Sequence, residues 1–347
     1  MDVLEALGWD DEWRASFEPH RQEGVVPARV AVQHRGAYDV LTEAGEIRAR
    51  ITGRVRHEAV ARGELPVVGD WVAVDPDART IQTVLPRRTS FSRRAAHDAE
   101  SGGTREQVVG ANVDVVFVVS PLGEEVSIPL LERYLTLAWQ SGARPVILLT
   151  KADLEPEPEV VVDRLADVGG EVPVVALSAR TGFGLETVSS FLGPGVTGAL
   201  VGPSGAGKST LLNVLVGEEL MATGDMREGG GGRHTTTRRQ LVALPGGGLL
   251  VDNPGMREVH LWVADGGLED AFPEIAELEG ECRFSDCRHD TEPGCAVLAA
   301  LADGRLAQER WERYQALRDE LARLDEQLQR RERARSRRGK GPVSENS

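Results

Sequence analysis

The chain has 347 residues, of which 41% are hydrophobic and 27% are charged, and its formal net charge at pH 7 is −15. This length predicts two or three domains with buried cores. No apolar run approaches the roughly 20 residues that a helix needs to cross a bilayer, and the N-terminus lacks the basic and then apolar layout of a secretory signal. We therefore expect a cytoplasmic protein with no membrane partner, and we also expect a monomer.

The net acidity alone argues against a nucleic-acid partner, but the charges are unevenly distributed. Between positions 21 and 95 there are thirteen arginines and nine acidic residues. Positions 330–340 hold six arginines and one lysine with a single glutamate. Basic ends on an acidic body suit a protein that contacts RNA at selected faces. The run near the C-terminus also has a simpler interpretation, as a solvated helix end.

The first part of the chain is predicted to be a small β domain behind an N-terminal extension. Residues 1–23 are the extension, an amphipathic segment of open role. Residues 24–88 contain short alternating segments separated by Gly, Asp and Pro, which predicts about five strands. This series favours a closed barrel of the OB type, with an SH3-like barrel as the alternative. Residues 89–110 are polar and Arg-rich, and are predicted to be a mobile linker.

Residues 111–266 alternate buried-strand runs with helical stretches. This pattern predicts a parallel sheet covered by helices on both faces. Because the carboxyl ends of such strands meet at one edge, polar motifs that follow the strands are expected to form one site there.

The first motif follows the strand predicted at 145–149 and has the form T-K-x-D. Asp153 can accept hydrogen bonds from N1 and the exocyclic amine of guanine, and the stem of Lys151 can pack over the base, so the site would select GTP over ATP. Thr150 stands where Asn is more common, which puts nucleotide affinity in question. Ser178 and Ala179 follow the next strand and complete the predicted base site. A solvated turn is the alternative interpretation.

The second motif is a complete phosphate-binding loop of the form G-x-x-x-x-G-K-S, between a predicted strand and a predicted helix. Its backbone N–H groups and the helix N-terminus favour phosphate. Lys208 would reach the β- and γ-phosphates, and the Ser209 hydroxyl would bind Mg²⁺. The predicted nucleotide-binding residues of this loop are Gly202, Pro203, Ser204, Gly205, Ala206, Gly207, Lys208, Ser209 and Thr210.

A glycine-rich segment, residues 228–237, follows the loop. Its four consecutive glycines lose much conformational entropy on ordering, so a bound ligand is expected to order it, as in a GTPase switch. Thr236 is the candidate among its three threonines to complete Mg²⁺ coordination, and His234 is the candidate catalytic side chain. A plain flexible linker is the alternative.

The last nucleotide motif is D-x-x-G at the end of a predicted strand. Asp252 can hold the Mg²⁺ hydration shell, and Gly255 can offer its N–H to the γ-phosphate. Met256 follows where many GTPases have a water-orienting Gln. A thioether cannot orient water, so we expect slow intrinsic hydrolysis that depends on His234 or on a group from a partner.

The order of these motifs is permuted. A base motif normally follows the phosphate loop in a GTPase, whereas here Asp153 and Ser178 precede it. The parts of a GTP site are all present, which indicates a circularly permuted GTPase domain.

All three cysteines lie in one cluster with a histidine, C-x₄-C-x-H-x₅-C, formed by Cys282, Cys287, His289 and Cys295. Three thiolates and one imidazole are the ligands of a closed, structural Zn²⁺ site, and buried cysteines beside an ordinary histidine are the alternative. We expect one zinc ion within a helical domain at 267–330. A helix is predicted at 306–335, with a basic disordered tail at 331–347.

With these motifs, the chain resembles the bacterial small-subunit-dependent GTPase A family (RsgA, also called YjeQ). The residues that carry the resemblance are Gly69-Asp70-Trp71-Val72, the permuted motif order, 232–237, the cysteine–histidine cluster and 292–297. Thr150 and Asn253 depart from the commoner family pattern.

The resemblance implies an OB-fold domain, a permuted GTPase domain and a C-terminal zinc domain. It also implies GTP hydrolysis in late maturation of the 30S subunit, stimulated by that particle and driving release, with 16S rRNA, GTP and GDP as partners and Mg²⁺ as cofactor. A GTP-binding scaffold with negligible catalysis is the alternative function, and a zinc-dependent nucleic-acid-binding module is a third.

Overall fold

The computed structural model describes residues 2–21, 24–62, 65–94, 106–122, 126–169, 172–217, 239–252 and 267–338. Along these residues a small barrel is followed by a mostly parallel sheet and then by a helical C-terminal part. The predicted fold class is thereby confirmed. No helix of the described ranges is both long and apolar enough to span a membrane.

Two short helices open the chain, α1 (Val3–Ala6) and α2 (Asp11–Phe17). The carboxylates of Asp2 and Asp10 cap them by accepting hydrogen bonds from backbone N–H groups of the first turn. Five apolar residues of this extension are buried, Leu4, Leu7, Trp9, Trp13 and Phe17, whereas Val3 is exposed. The segment whose role the sequence leaves open therefore belongs to the folded core.

The barrel consists of five strands with one helix between the third and the fourth. The strands pair in the order β1-β2-β3-β5-β4, and an antiparallel pairing of β1 with β4 closes the barrel. This closed Greek-key order is that of the OB type and decides against the SH3-like alternative. The elements are β1 (Val26–Gln33), β2 (Tyr38–Thr42), β3 (Gly45–Ile51), α3 (Gly53–Arg62), β4 (Trp71–Asp75) and β5 (Thr80–Val84).

The segment predicted to be a mobile linker contains regular structure. Strands β6 (Ser90–Arg94) and β7 (Glu106–Ala111) pair as an antiparallel ribbon, and residues 95–105 lie outside the described residues. The side chains of Phe91 and Val109 are buried in the hydrophobic core that also contains Trp71 and Val116. Only a few apolar residues anchor these two strands. The polar composition of the whole segment therefore did not indicate them.

A sheet of six strands forms the nucleotide-binding part, in the order β10-β9-β8-β11-β13-β12, with only β12 antiparallel to its neighbour. Alternate residues of β8 point to opposite faces of the sheet. Val116 and Val118 pack in the core on one face, and Val115 and Phe117 pack in the core on the other. The elements are β8 (Val115–Pro121), α4 (Ile128–Gln140), β9 (Arg144–Thr150), α5 (Pro158–Gly169), β10 (Val174–Ala176), α6 (Leu185–Ser190), β11 (Thr197–Val201), α7 (Lys208–Val216), β12 (Arg239–Ala243) and β13 (Leu249–Asp252).

The barrel and the nucleotide-binding sheet are joined edge to edge. Strand β12 pairs with β1 in antiparallel register, Val32 with Gln240 and Gln33 with Arg239. The two parts therefore share one continuous sheet of eleven strands.

Four helices form the C-terminal part: α8 (Gly267–Ala271), α9 (Pro273–Gly280), α10 (Ala296–Asp303) and α11 (Gln308–Arg338). Helix α11 extends the predicted helix by three residues at its C-terminal end, into the segment predicted to be a disordered tail. It docks on α4, where the buried Glu132 accepts hydrogen bonds from Arg310 and Arg313 at 2.5 and 3.0 Å. The cysteine–histidine cluster lies between α9 and α10.

Candidate nucleotide site and metal centre

The predicted phosphate loop connects β11 to α7 at the carboxyl edge of the sheet. Gly202 begins the loop with φ of +143°, and a Cβ there would lie 2.2 Å from the carbonyl oxygen of Val119. No side chain fits at this position, so the loop can follow the end of β8 closely only because residue 202 is glycine. Gly207, with φ of +88°, then starts α7.

Lys208 is buried, and its ammonium lies within the loop. The Nζ atom donates hydrogen bonds to the carbonyl oxygens of Gly202 and Pro203, at 2.7 and 2.5 Å. This places a positive charge beside the backbone that would surround phosphates.

The base motif reaches the same edge from β9. Lys151 has φ of +60°, a left-handed conformation that turns the chain away from the strand and into a short 3₁₀ turn, Ala152–Leu154. The Ala152 N–H donates to the carbonyl of Leu177 at 3.0 Å, which holds this turn against the end of β10.

Asp153 is oriented by the residue that follows β10. The Ser178 hydroxyl donates to Oδ1 of Asp153 at 2.6 Å, and this hydrogen bond lowers the pKa of the Asp153 carboxyl below its usual range. Arg180 adds a weaker, exposed contact at 3.7 Å. The carboxylate is therefore ionised at neutral pH, as an acceptor for guanine N–H groups must be. Ala179, next to Ser178, is half-buried.

Thr150 ties the base motif to the phosphate loop. Its hydroxyl donates to the carbonyl oxygen of Ala206 at 2.6 Å, and the Ser120 carbonyl lies 3.4 Å away. The side chain is 3% exposed. The Thr150 hydroxyl is therefore occupied by its hydrogen bond to the backbone of the phosphate loop.

Asp252 ends β13, which runs parallel to β11, so its buried side chain lies at the same edge of the sheet as the phosphate loop. The permuted motifs are therefore brought together as predicted for strand ends. His234, Thr236, Gly255 and Met256 lie outside the described residues, and their roles stay predictions.

The four residues of the cysteine–histidine cluster converge although they come from a span of fourteen positions. Their ligand atoms all lie within 4.8 Å of one another. Nδ1 of His289 is 3.6 Å from Sγ of Cys282 and 3.4 Å from Sγ of Cys295, and these two sulfurs are 3.9 Å apart. A tetrahedral ion with metal–sulfur bonds of about 2.3 Å separates its ligand atoms by roughly 3.8 Å. The cluster therefore fits one tetrahedral metal ion.

Neighbouring groups orient this cluster. Oε1 of Glu279 lies 3.3 Å from Nε2 of His289, which leaves Nδ1 to face the thiols, and the Tyr314 hydroxyl donates to Glu279 at 3.0 Å. Such carboxylate–histidine pairs hold metal-binding imidazoles in place. The spacing of the cysteines gives no signal for Glu279 or Tyr314, since both come from other helices.

The loop between the ligands has its own anchor. Backbone N–H groups of Asp290 and Arg288 donate to Glu292 at 2.9 and 3.0 Å and lower the pKa of its carboxyl to about 2. Cys295 then caps α10, because its sulfur accepts from the Leu298 N–H at 3.4 Å.

Comparison with family models gives two matches. The model described as RsgA GTPase matches residues 84–262, and one described as 50S ribosome-binding GTPase matches residues 197–332. The second match begins at β11, the strand before the phosphate loop, as expected if the base motifs have been moved upstream.

Curated relatives match over nearly the whole chain. A protein of Opitutus terrae named small ribosomal subunit biogenesis GTPase RsgA is 46% identical over 351 residues, which cover 96% of this chain and 95% of that relative. One of the same name from Streptomyces coelicolor is 44% identical over 93% of this chain and 87% of its own length.

Solved structures agree with the sequence relatives. The crystal structure of YjeQ from Thermotoga maritima is similar with a TM-score of 0.65 and 29% identity, over 86% of this chain and 99% of that chain. That of YloQ, described as a circularly permuted GTPase, has a TM-score of 0.61 at 22% identity, over 87% and 97% of the two chains, and supports the fold. Motif order, fold and relatives agree, and the chain belongs to the RsgA family of circularly permuted GTPases.

Proposed function

We propose that the protein hydrolyses GTP during late maturation of the small (30S) ribosomal subunit, and that this particle stimulates hydrolysis, which then drives release. The observation that carries the proposal is the meeting of Asp153 and Lys208 at one sheet edge, in a chain whose relatives are named small ribosomal subunit biogenesis GTPases.

The site residues divide the recognition of GTP between them. The Asp153 carboxylate accepts from the guanine N1–H and amine, and adenine leaves it unpaired, which gives the discrimination. Lys208 exchanges the loop carbonyls for oxygens of the β- and γ-phosphates, with the loop N–H groups around them. Ser209 and Asp252 would hold Mg²⁺, which neutralises charge on the phosphates.

The cysteine–histidine cluster holds one structural Zn²⁺ in this proposal. Its support is the donor set, three thiols and an imidazole at tetrahedral separations, with Glu279 behind the imidazole. All four positions are filled by protein, so the ion stabilises the C-terminal part and takes no substrate.

The barrel and the C-terminal part bind 16S rRNA in this proposal. Support comes from exposed arginines on one stretch of the barrel, Arg50 on β3 and Arg54 and Arg56 on α3. Such side chains neutralise phosphates and make binding depend on salt.

GTP turnover by the purified protein, with and without purified 30S subunits, tests the function. We expect slow turnover alone and a marked increase with 30S subunits, and we expect Lys208→Ala to abolish both. If GTP binds but stays unhydrolysed with 30S subunits, the protein is a scaffold; if 30S subunits change neither binding nor turnover, the proposal is wrong.

A further inference from the structure

Arg29, on barrel strand β1, is a buried guanidinium where three parts of the chain meet. It is 2% exposed, and burial lowers its pKa to about 10. It donates to the carbonyl of Leu7 in the N-terminal extension, to that of Gly69 in the barrel at 3.3 Å, and to Asn112 O and Thr197 Oγ1 of the nucleotide-binding part at 3.0 and 2.8 Å. All these acceptors are available to one side chain only when the three parts are docked.

The extension covers the barrel with aromatic rings. The Trp9 and Trp13 rings lie 4.7 and 6.1 Å from the ring of Trp71, the first residue of β4. Trp71 and Ala73 face the core shared with the extension, whereas Val72 between them faces the barrel interior. These ring contacts bury apolar surface between the extension and the barrel, in addition to the hydrogen bonds that Arg29 makes.

The extension contacts the nucleotide-binding part on its other side. Gly8 has φ of +89°, and a Cβ there would lie 2.6 Å from the carbonyl oxygen of Gly195. Gly195 is two residues before Thr197, where β11 begins, and β11 leads to the phosphate loop. On the barrel side, Asp10 accepts a hydrogen bond from Arg88 at 2.6 Å, and that guanidinium lies 4.3 Å from the ring of Trp13.

Apart from the extension and Arg29, the described contacts between the barrel and the nucleotide-binding part include the pairing of β1 with β12, with a register of two residue pairs. The Ala111 N–H also donates to the Val68 carbonyl at 3.0 Å, and the Asn112 side-chain amide donates to the Gly69 carbonyl at 3.1 Å. Strand β12 begins directly after the predicted switch segment. Each hydrogen bond between the two parts adds only modestly to stability, so the extension reinforces a contact that the barrel and the sheet already share.

We propose that residues 2–21, together with Arg29, form a clasp that fixes the barrel to the nucleotide-binding sheet, so that the two respond to nucleotide as one body. This inference rests on the proposed nucleotide site. A ligand that binds the barrel then shifts β11 and β12, the strands beside the phosphate loop and the predicted switch. The clasp therefore helps to position the nucleotide site for stimulated hydrolysis.

Hydrogen–deuterium exchange of the full chain with GDP as the probe tests the clasp. Gly8→Ala places a methyl group against Gly195, whereas Gly24→Ala, also at positive φ (+81°) with nothing within 4 Å, adds only the backbone cost. At 100 times its dissociation constant, GDP slows exchange of the globally protected amides that it stabilises by up to about a hundredfold.

In the wild type and in Gly24→Ala, we expect GDP to slow exchange in both α7 and barrel strands β1 and β4. In Gly8→Ala we expect the slowing in α7 to persist and that in the barrel to be lost. A barrel that responds equally in all three proteins, or one that does not respond in the wild type although α7 does, overturns the clasp. If α7 itself does not respond to GDP, the nucleotide site fails instead.

If Gly8→Ala does not fold, Asp10→Ala is the second variant, because it removes both the Arg88 contact and the N-cap of α2 at a more exposed position. It is expected to reduce the response of the barrel to GDP and, with 30S subunits, the stimulated turnover, while unstimulated turnover stays at the wild-type rate. Unchanged barrel response and stimulation would contradict the proposal.

Discussion

At the scale of single residues, Thr150 shows how a departure from the commoner motif is accommodated. The sequence puts nucleotide affinity in question because Asn is replaced. In the structure the Thr150 hydroxyl donates to the Ala206 carbonyl at 2.6 Å, so a connection from base motif to phosphate loop is kept. Because a hydroxyl has one proton to donate, Thr150 has none left for a nucleotide while this bond is made.

Removing that hydroxyl should weaken nucleotide binding. Thr150→Val keeps the shape of the side chain but leaves the buried Ala206 carbonyl without this donor, a cost of about 1–3 kcal/mol. We expect GDP affinity, measured by calorimetric titration, to fall accordingly and Thr150→Ser to retain most of it. Equal affinities for the Val and Ser variants would mean that the hydrogen bond contributes nothing to the site.

At the scale of elements, the docking of α11 on α4 depends on a buried carboxylate. Glu132 is 2% exposed and accepts from Arg310 and Arg313, while on the same pair of helices Arg133 contacts Glu320 in partly exposed positions. A buried charge that loses its partner is costly, whereas an exposed pair contributes little because solvent screens it.

The two carboxylates give a matched pair of variants. Glu132→Gln should lower the free energy of unfolding by roughly 3 kcal/mol, since Arg310 and Arg313 lose their buried counter-charge. Glu320→Gln should lower it by less than about 1 kcal/mol. Urea unfolding followed by circular dichroism measures both, and similar losses in the two variants would show that burial of Glu132 is not what holds α11.

At the scale of the whole molecule, the metal centre and the nucleotide site are expected to be separable in stability. Chelating the proposed Zn²⁺ should unfold the loop at 282–295 and loosen α9 and α10, because structural metal sites contribute folding energy directly. The emission of Trp311, whose ring lies 5.7 Å from that of His289, reports this change, while GDP affinity should persist. Cys282→Ser should behave like the chelated protein and Asp286→Asn like the wild type; loss of GDP binding on chelation would argue against separate roles.

Motif-bearing strands could be predicted from sequence because a parallel sheet leaves little freedom: Asp153, Lys208 and Asp252 each follow an apolar run, and all reach one edge. Contacts between distant segments could not. Nothing in the pattern around Arg29 indicates four acceptors from separate segments, and Glu279 precedes its partner His289 by ten residues without any recognised spacing. The role of the extension stayed open for the same reason, since Trp9 and Trp13 find their partner, Trp71, about sixty residues further along the chain.

The join of β1 with β12 also bears on the order in which the molecule is made. Val32 pairs with Gln240, so β1 can pair with β12 only after about two hundred more residues have been synthesised. At ordinary rates of synthesis this takes roughly 10 to 40 seconds. All barrel strands lie before residue 85 and can pair early. In that interval the face bearing Arg29 and Trp71 has no sheet to dock on, and the N-terminal helices, synthesised first, are already there to cover it.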